Sequence, residues 1–179
     1  IKTNQEACAM LNSFLGTDLH KIANELNKLI ITLPKDKPVI TPALIEKNIG
    51  ISKDFNNFEL QKAIGERDIY KANTIVMYFA NNQKANPLTL TIATLFSFFS
   101  KLLLYHYTTD KSNNNIASVL KVNPFFVKDY SQAAAKYDIG NTVRIIGLLR
   151  TYDLKSKGFD SIGAEPGDLL RELVFKILH

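Results

Sequence analysis

The chain of 179 residues has no tryptophan, one cysteine, two methionines, three histidines, eight glycines and six prolines. Each shortage excludes something. A lone Cys8 allows no intramolecular disulfide and no cysteine-based metal site, so the fold must rest on its apolar core, and a reducing cytoplasm is the expected setting. His20, His106 and His179 lie far apart and no H-E-x-x-H occurs, so no metal site is expected. No G-x-x-x-x-G-K-[ST] is present, which removes the phosphate-cradling loop that nucleotide hydrolysis of the P-loop kind needs. No motif sets a Ser or Cys nucleophile beside a base either, and no catalytic residue or cofactor is assigned from the residues. The opening "IKTNQE" carries neither a signal-type charged region nor an apolar one and does not begin with Met, so the chain is expected to be a piece of a longer protein.

What is abundant is apolar side chain. Hydrophobic residues make up 46% and charged residues 22%, a composition that folds into a packed core rather than a disordered tail. The longest apolar stretch, Leu90 to Tyr107, is interrupted by Lys101 and several Ser and Thr, which predicts a central buried helix and no membrane partner. The balance of 22 basic against 17 acidic residues, net +5, permits nucleic-acid contact without requiring it.

Helical periodicity runs through the whole chain, and no convincing period-two alternation appears, so the expected fold class is all-α. Leu19, Ile22, Ala23, Leu26, Leu29, Ile30 and Leu33 form one stripe of an amphipathic helix. Gly16 suits the end of the helix before it, and Thr17 or Asp18 suits its N-cap. "PKDKP" (34–38) reads as a turn, Thr41 and Pro42 as N-cap and first residue of a short helix, and "ISKDFNN" (51–57) as a linker. Later helices are expected in "NFELQKAIGERD", "IYKANTIVMYFANNQ", "LTLTIATLFSFFSKLLLYHY", "NIASVLKV", "FFVKDYSQAAAKY", "TVRIIGLLRTYDLKSK" and "DLLRELVFKILH", with "KSNNN" as a polar loop.

Three local clusters invite a functional reading. Glu66, Arg67 and Asp68 point in different directions on a helix and read as a solvated helix end. The stretch of about 116–137 has a helix, a turn at Asn123 and Pro124, and a second helix, like a helix-turn-helix. Its second helix offers only Lys128, Gln132 and Lys136 to base edges, so plain helix packing is the favoured reading over DNA binding. In "LLRTYDLKSKGF", Asp153 and Lys157 are i, i+4 partners, Arg150 is within reach of Asp153, and Gly158 suits the left-handed residue after a helix; these charges fasten and end a helix. Gly147, in its middle, costs ~1 kcal/mol relative to Ala and is expected to let another helix come close.

Taken in order, these segments resemble the C-terminal two-thirds of the delta subunit of the bacterial DNA polymerase III clamp loader. "GTDLHKIANELNKL" is similar to that family's G-x-D-L-x-x-[LI]-x-N-E-L-x-K-L segment through Gly16, Asp18, Leu19, Asn24, Glu25, Leu26, Lys28 and Leu29. "NNFELQKAIGERDIYKA" is similar through Phe58, Leu60, Ala63, Ile64 and Asp68, and "ASVLKVNPFFV" resembles the helix, turn and Pro-Phe segment that follows. "LLRTYDLKSKG" resembles the L-x-x-x-D-x-x-x-K-x-G ending through Leu149, Asp153 and Lys157, with Gly158 one place early. Where the family commonly carries arginine on its long helix, this chain has Ser97 and Lys101.

The resemblance implies that residues 1–51 are the helical lid of an AAA+ module, incomplete at its start, and residues 54–179 a helical collar domain that mediates oligomerisation. It implies partners: gamma/tau and delta-prime type loader subunits, the sliding clamp through the amino-terminal domain that is absent here, and primer-template DNA in the assembled complex. It implies a role in assembly within a DNA polymerase holoenzyme, without catalysis by this piece. The stripe Leu169, Leu170, Leu173, Val174, Ile177 and Leu178 on the last helix is a candidate subunit interface, with intrachain core the favoured reading of such a stripe. An autonomous DNA-binding or regulatory protein built on residues 116–137 is the alternative.

Overall fold

The computed structural model describes residues 2–3, 5, 7–8, 11, 19–33, 38–49, 55–160 and 163–179. The chain divides into two compact units, residues 1–58 and 59–179.

In the first unit, helices α1 (Leu19–Thr32) and α2 (Pro42–Ile49) pack together. Thr41 caps α2: its carbonyl accepts from the Leu44 and Ile45 amides, its hydroxyl also accepts from Leu44 N, and Pro42 follows with no N–H to satisfy. The core here is Ala7, Leu11, Leu29, Ile40 and Ile45, with Ile22, Leu26, Leu33 and Leu44 packed against it. Leu19 and Ile30 of the expected stripe stay exposed, so this small core covers only part of the apolar face of α1. A two-residue parallel pair, β1 (Lys2–Thr3) with β2 (Val39–Ile40), is the one departure from an all-α fold among the described residues; two residues are too few to leave a periodic signal. Gly16, Asp18 and the "PKDKP" residues 34–37 lie outside the described residues, as do residues 51–54 of the expected linker.

The second unit opens within α3 (Asn57–Gly65), at Glu59, and continues through α4 (Ile69–Asn81), α5 (Leu88–Tyr107), α6 (Asn113–Leu120), a 3-10 turn (Pro124–Phe126), α7 (Val127–Ala134), α8 (Ile139–Ser156) and α9 (Pro166–Leu178). The "NNN" expected in a loop is instead the first turn of α6, behind Ser112, which Asp110 holds through backbone and hydroxyl hydrogen bonds. Asp68 and Asp138 cap α4 and α8 by accepting from Lys71 N and Asn141 N.

Helix α5 is the axis of this unit. It buries Leu88, Ile92, Leu95, Phe98, Phe99 and Leu102 and packs most extensively on α8, then on α7 and α6. By length and composition alone it could also cross a membrane, a test that core helices pass equally. Helix α9 packs on α4 and α8. It approaches α4 so closely that a Cβ at Gly167 would lie 3.0 Å from Ala80 Cβ and 3.2 Å from its Cα, so any larger residue would require α4 to give by a few tenths of an ångström. The α9 stripe, a candidate partner face, is therefore internal: Leu169, Leu170, Leu173, Val174, Ile177 and Leu178 are all buried. The amphipathic pattern was right, but α4 and α8 cover that face, so it is not available as a subunit interface.

Of the Glu66, Arg67, Asp68 cluster, Asp68 is exposed as expected of a helix end, but Arg67 is drawn into the fold. Arg67 takes the left-handed conformation (φ 52°) that closes α3, with Asp68 N donating to Ala63 O and Arg67 N to Ile64 O. Its guanidinium donates to Leu178 O at 2.9 Å, at the end of α9, and lies 5.3 Å from the centre of the Tyr137 ring. The buried Tyr137 hydroxyl donates to Ile64 O at 2.7 Å. Its own carbonyl sits 2.8 Å from His106 Nε2, which must carry the proton because a carbonyl only accepts.

Replacing Tyr137 with Phe removes the hydroxyl but leaves Ile64 O its bond from Arg67 N, so the loss should be about 1 kcal/mol, read by urea unfolding. Burial pushes the Tyr137 hydroxyl up from 10.0 to about 12 and pushes Tyr130 up as well. A raised pKa means the native state holds these protons more tightly, so the stability they contribute is complete below pH 10 and is lost as pH climbs towards 12. Alkaline melts should fall across that window, and Y137F should fall less steeply than the parent.

Candidate docking groove

A groove of about 680 Å³ opens to solvent between α5 and α8. Its floor is the buried pair Ile92 and Leu149; Ala93 and Phe96 of α5 form one wall, and Val143, Ile146 and Gly147 of α8 form the other. Phe96 is 45% and Val143 51% exposed, so this is apolar surface left uncovered by the chain. Exposed Ile139 and Leu154 extend it along α8, because residues 139, 143, 147, 150 and 154 recur at helical spacing on one side.

Charge enters at one end, through Arg150 and Asp153. Asp153 accepts from Lys157 Nζ at 2.6 Å, the i, i+4 pair expected, and this exposed pair contributes roughly 0.3–0.5 kcal/mol. Arg150 was expected to share Asp153, yet it makes no hydrogen bond or ion pair with any other described residue. Helix α8 then closes with Gly158 at φ 91°, Phe159 N donating to Leu154 O and Gly158 N to Lys155 O, so the charged tail of the helix is held rigidly beside the groove. Lys155 of the same helix and Lys176 of α9 lie over the Tyr152 ring, at 4.9 and 5.5 Å from its centre, and the second contact fastens α8 to α9.

Among the described residues the expected close approach at Gly147 is not made: a Cβ there would meet nothing within 4 Å outside the adjoining backbone of its own helix. On α5, Lys101, standing where the resembled family commonly has arginine, is half-buried, and burial pulls its ammonium down. In the first unit, Glu25 accepts from Lys28 at 2.7 Å, and Asn24 is exposed.

The helix-turn-helix reading finds no support in the geometry. Helix α7 is eight residues long and buries Val127, Tyr130 and Ala133 in this unit. Of the three side chains it was to offer DNA, Lys136 donates to Glu66 O, and Gln132 shares a hollow with Glu66 and Asp68. Two carboxylates there repel a phosphate backbone. Among the described residues, no group of His, Cys, Asp or Glu side chains could hold a metal ion.

The sequence reading placed Arg150 among the charges that fasten the helix and Gly147 at a helix approach, and it missed the groove. The signal was present in Phe96 and Val143, large apolar residues on faces that the periodicity assigns to solvent.

Gly147→Ala should stabilise the chain by up to about 1 kcal/mol, since the space is open and helix propensity improves. Gly158→Ala should destabilise it by roughly 1–2 kcal/mol, since its left-handed backbone disfavours any Cβ. Thermal melts of the two variants should move in opposite directions.

Residues 54–161 match the family described as DNA polymerase III delta subunit, C-terminal domain. No curated relative matches in sequence. Among solved structures, the Bacillus subtilis DNA clamp loader delta protein superposes with a TM-score of 0.65 at 24% identity, over 98% of this chain and 51% of its own, a likeness in fold. The chain thus spans about half the length of that relative. With more than half of its residues matched to one family, the chain belongs to the DNA polymerase III delta subunit family through its C-terminal domain.

Proposed function

We propose that the chain is an assembly module of a bacterial clamp loader: residues 54–179 act as the collar domain that binds other loader subunits, and residues 1–51 as the lid of an AAA+ module. The observation that carries this reading is the match of residues 54–161 to the delta C-terminal domain. The second unit supports it by having a closed core of its own, as a domain that serves as a fixed platform needs, and an apolar surface left open on that platform. The partners are the gamma/tau and delta-prime type subunits, in the cytoplasm. With its neighbours the collar holds the AAA+ modules in a ring, so that ATP binding by those neighbours arranges them around primer-template DNA. The sliding clamp would be engaged by an amino-terminal domain outside this sequence. The piece contributes position and valency, not chemistry.

Mixed with the other loader subunits of its source organism and resolved by size-exclusion chromatography with light scattering, the chain should elute in a stoichiometric complex containing one copy. Separate elution, together with salt-dependent binding to duplex DNA that weakens when Lys128 or Gln132 is changed, would instead support the regulator reading.

A further inference from the structure

We propose that the groove between α5 and α8 is the seat of a helix from a neighbouring loader subunit, one that presents a large apolar side chain next to a carboxylate. This inference rests on the assembly reading and deepens it by naming the surface and the chemistry of its occupant.

The first argument is Gly147. A glycine in the middle of an 18-residue helix is costly, and among the described residues no atom outside the adjoining backbone of α8 itself comes within 4 Å of where its Cβ would be. The fold of this chain thus makes no use of the missing side chain. A helix from outside does, because a residue without Cβ lets a second backbone approach α8 at this point and seat its side chains against Val143, Ile146 and Phe96.

The second argument is the type of recognition the walls allow. Both walls are helices whose backbone amides and carbonyls are spent within the helix, so an extended peptide finds no strand edge to pair with. What the groove offers is apolar side-chain surface, which an amphipathic helix matches with one anchored residue per turn.

The third argument is charge complementarity. Asp153 is satisfied by Lys157, whereas Arg150 has no partner among the described residues. The free charge at the mouth of the groove is therefore a guanidinium, which favours a carboxylate one helical turn from the apolar anchor.

The test uses the full chain with the other loader subunits. Gly147→Leu directs a side chain into the open groove from a Cβ position that has no described neighbour within 4 Å outside its own helix, and Arg150→Glu reverses an exposed charge, so both should keep the parent's circular dichroism spectrum and not melt below it. Each should weaken formation of the stoichiometric complex by about tenfold or more, as loss of a central anchor or a desolvated charge contact does. Arg150→Lys, which keeps the charge, should retain most of the affinity. If the parent assembles and both Gly147→Leu and Arg150→Glu assemble equally well, the groove is not the seat, while the assembly reading stands. If the parent itself fails to join the other subunits, both fall. If the substitutions abolish only self-association of the chain alone and leave the mixed complex intact, the occupant is a second copy and the proposal is overturned.

Discussion

The second unit depends on the junction around Tyr137. Three helix ends, those of α3, α5 and α9, are brought together there with the segment that follows α7. Carbonyls at the ends of α3 and α9 accept from donors elsewhere in the chain, Ile64 O from the Tyr137 hydroxyl as well as from Arg67 N, Leu178 O from Arg67 and Glu66 O from Lys136, while His106 in the last turn of α5 donates to Tyr137 O. The cations also suit the negative ends of the helix dipoles. The Tyr137 ring meets Phe99 edge-on at 5.4 Å, which ties the polar junction to the aromatic centre of α5. Arg67 holds a left-handed backbone without being a glycine, and its long-range contacts offset that cost.

With its helix ends pinned, this unit can leave one face of α5 and α8 open without losing its shape. The contrast between α8 and α9 makes the point. Both are amphipathic, but α9 is covered by α4 and α8 and buries its aliphatic stripe, whereas α8 leaves Val143 and Leu154 in solvent. Surface of this kind on a rigid scaffold is what an assembly domain needs, because ordering it on binding costs little further entropy.

Much of this was legible in the sequence, and what was not has a physical reason. Caps and stops are local, so Thr41 with Pro42, and Asp153 with Lys157 and Gly158, were readable from spacing alone. The role of Arg67 was not, because its partner Leu178 is 111 residues away and a run of three charges looks solvated from within its own helix. The direction of the α9 stripe was hidden for the same reason: periodicity reports that a face is apolar but not what covers it. The resemblance drawn from four short segments named the right family, although each segment consists of packing and capping residues. The groove depends on which helices become neighbours, and Gly147 announced only that some helix would come close, whereas no described residue packs there.

The most direct test of the account is amide hydrogen exchange on the chain alone and in the assembled loader. Binding over the α5–α8 groove should slow exchange in α8 (Ile139–Ser156) and in the half of α5 containing Ala93 and Phe96, with α7 unchanged. Protection confined to α7 and the turn before it, with α8 exchanging as in the free chain, would contradict the account.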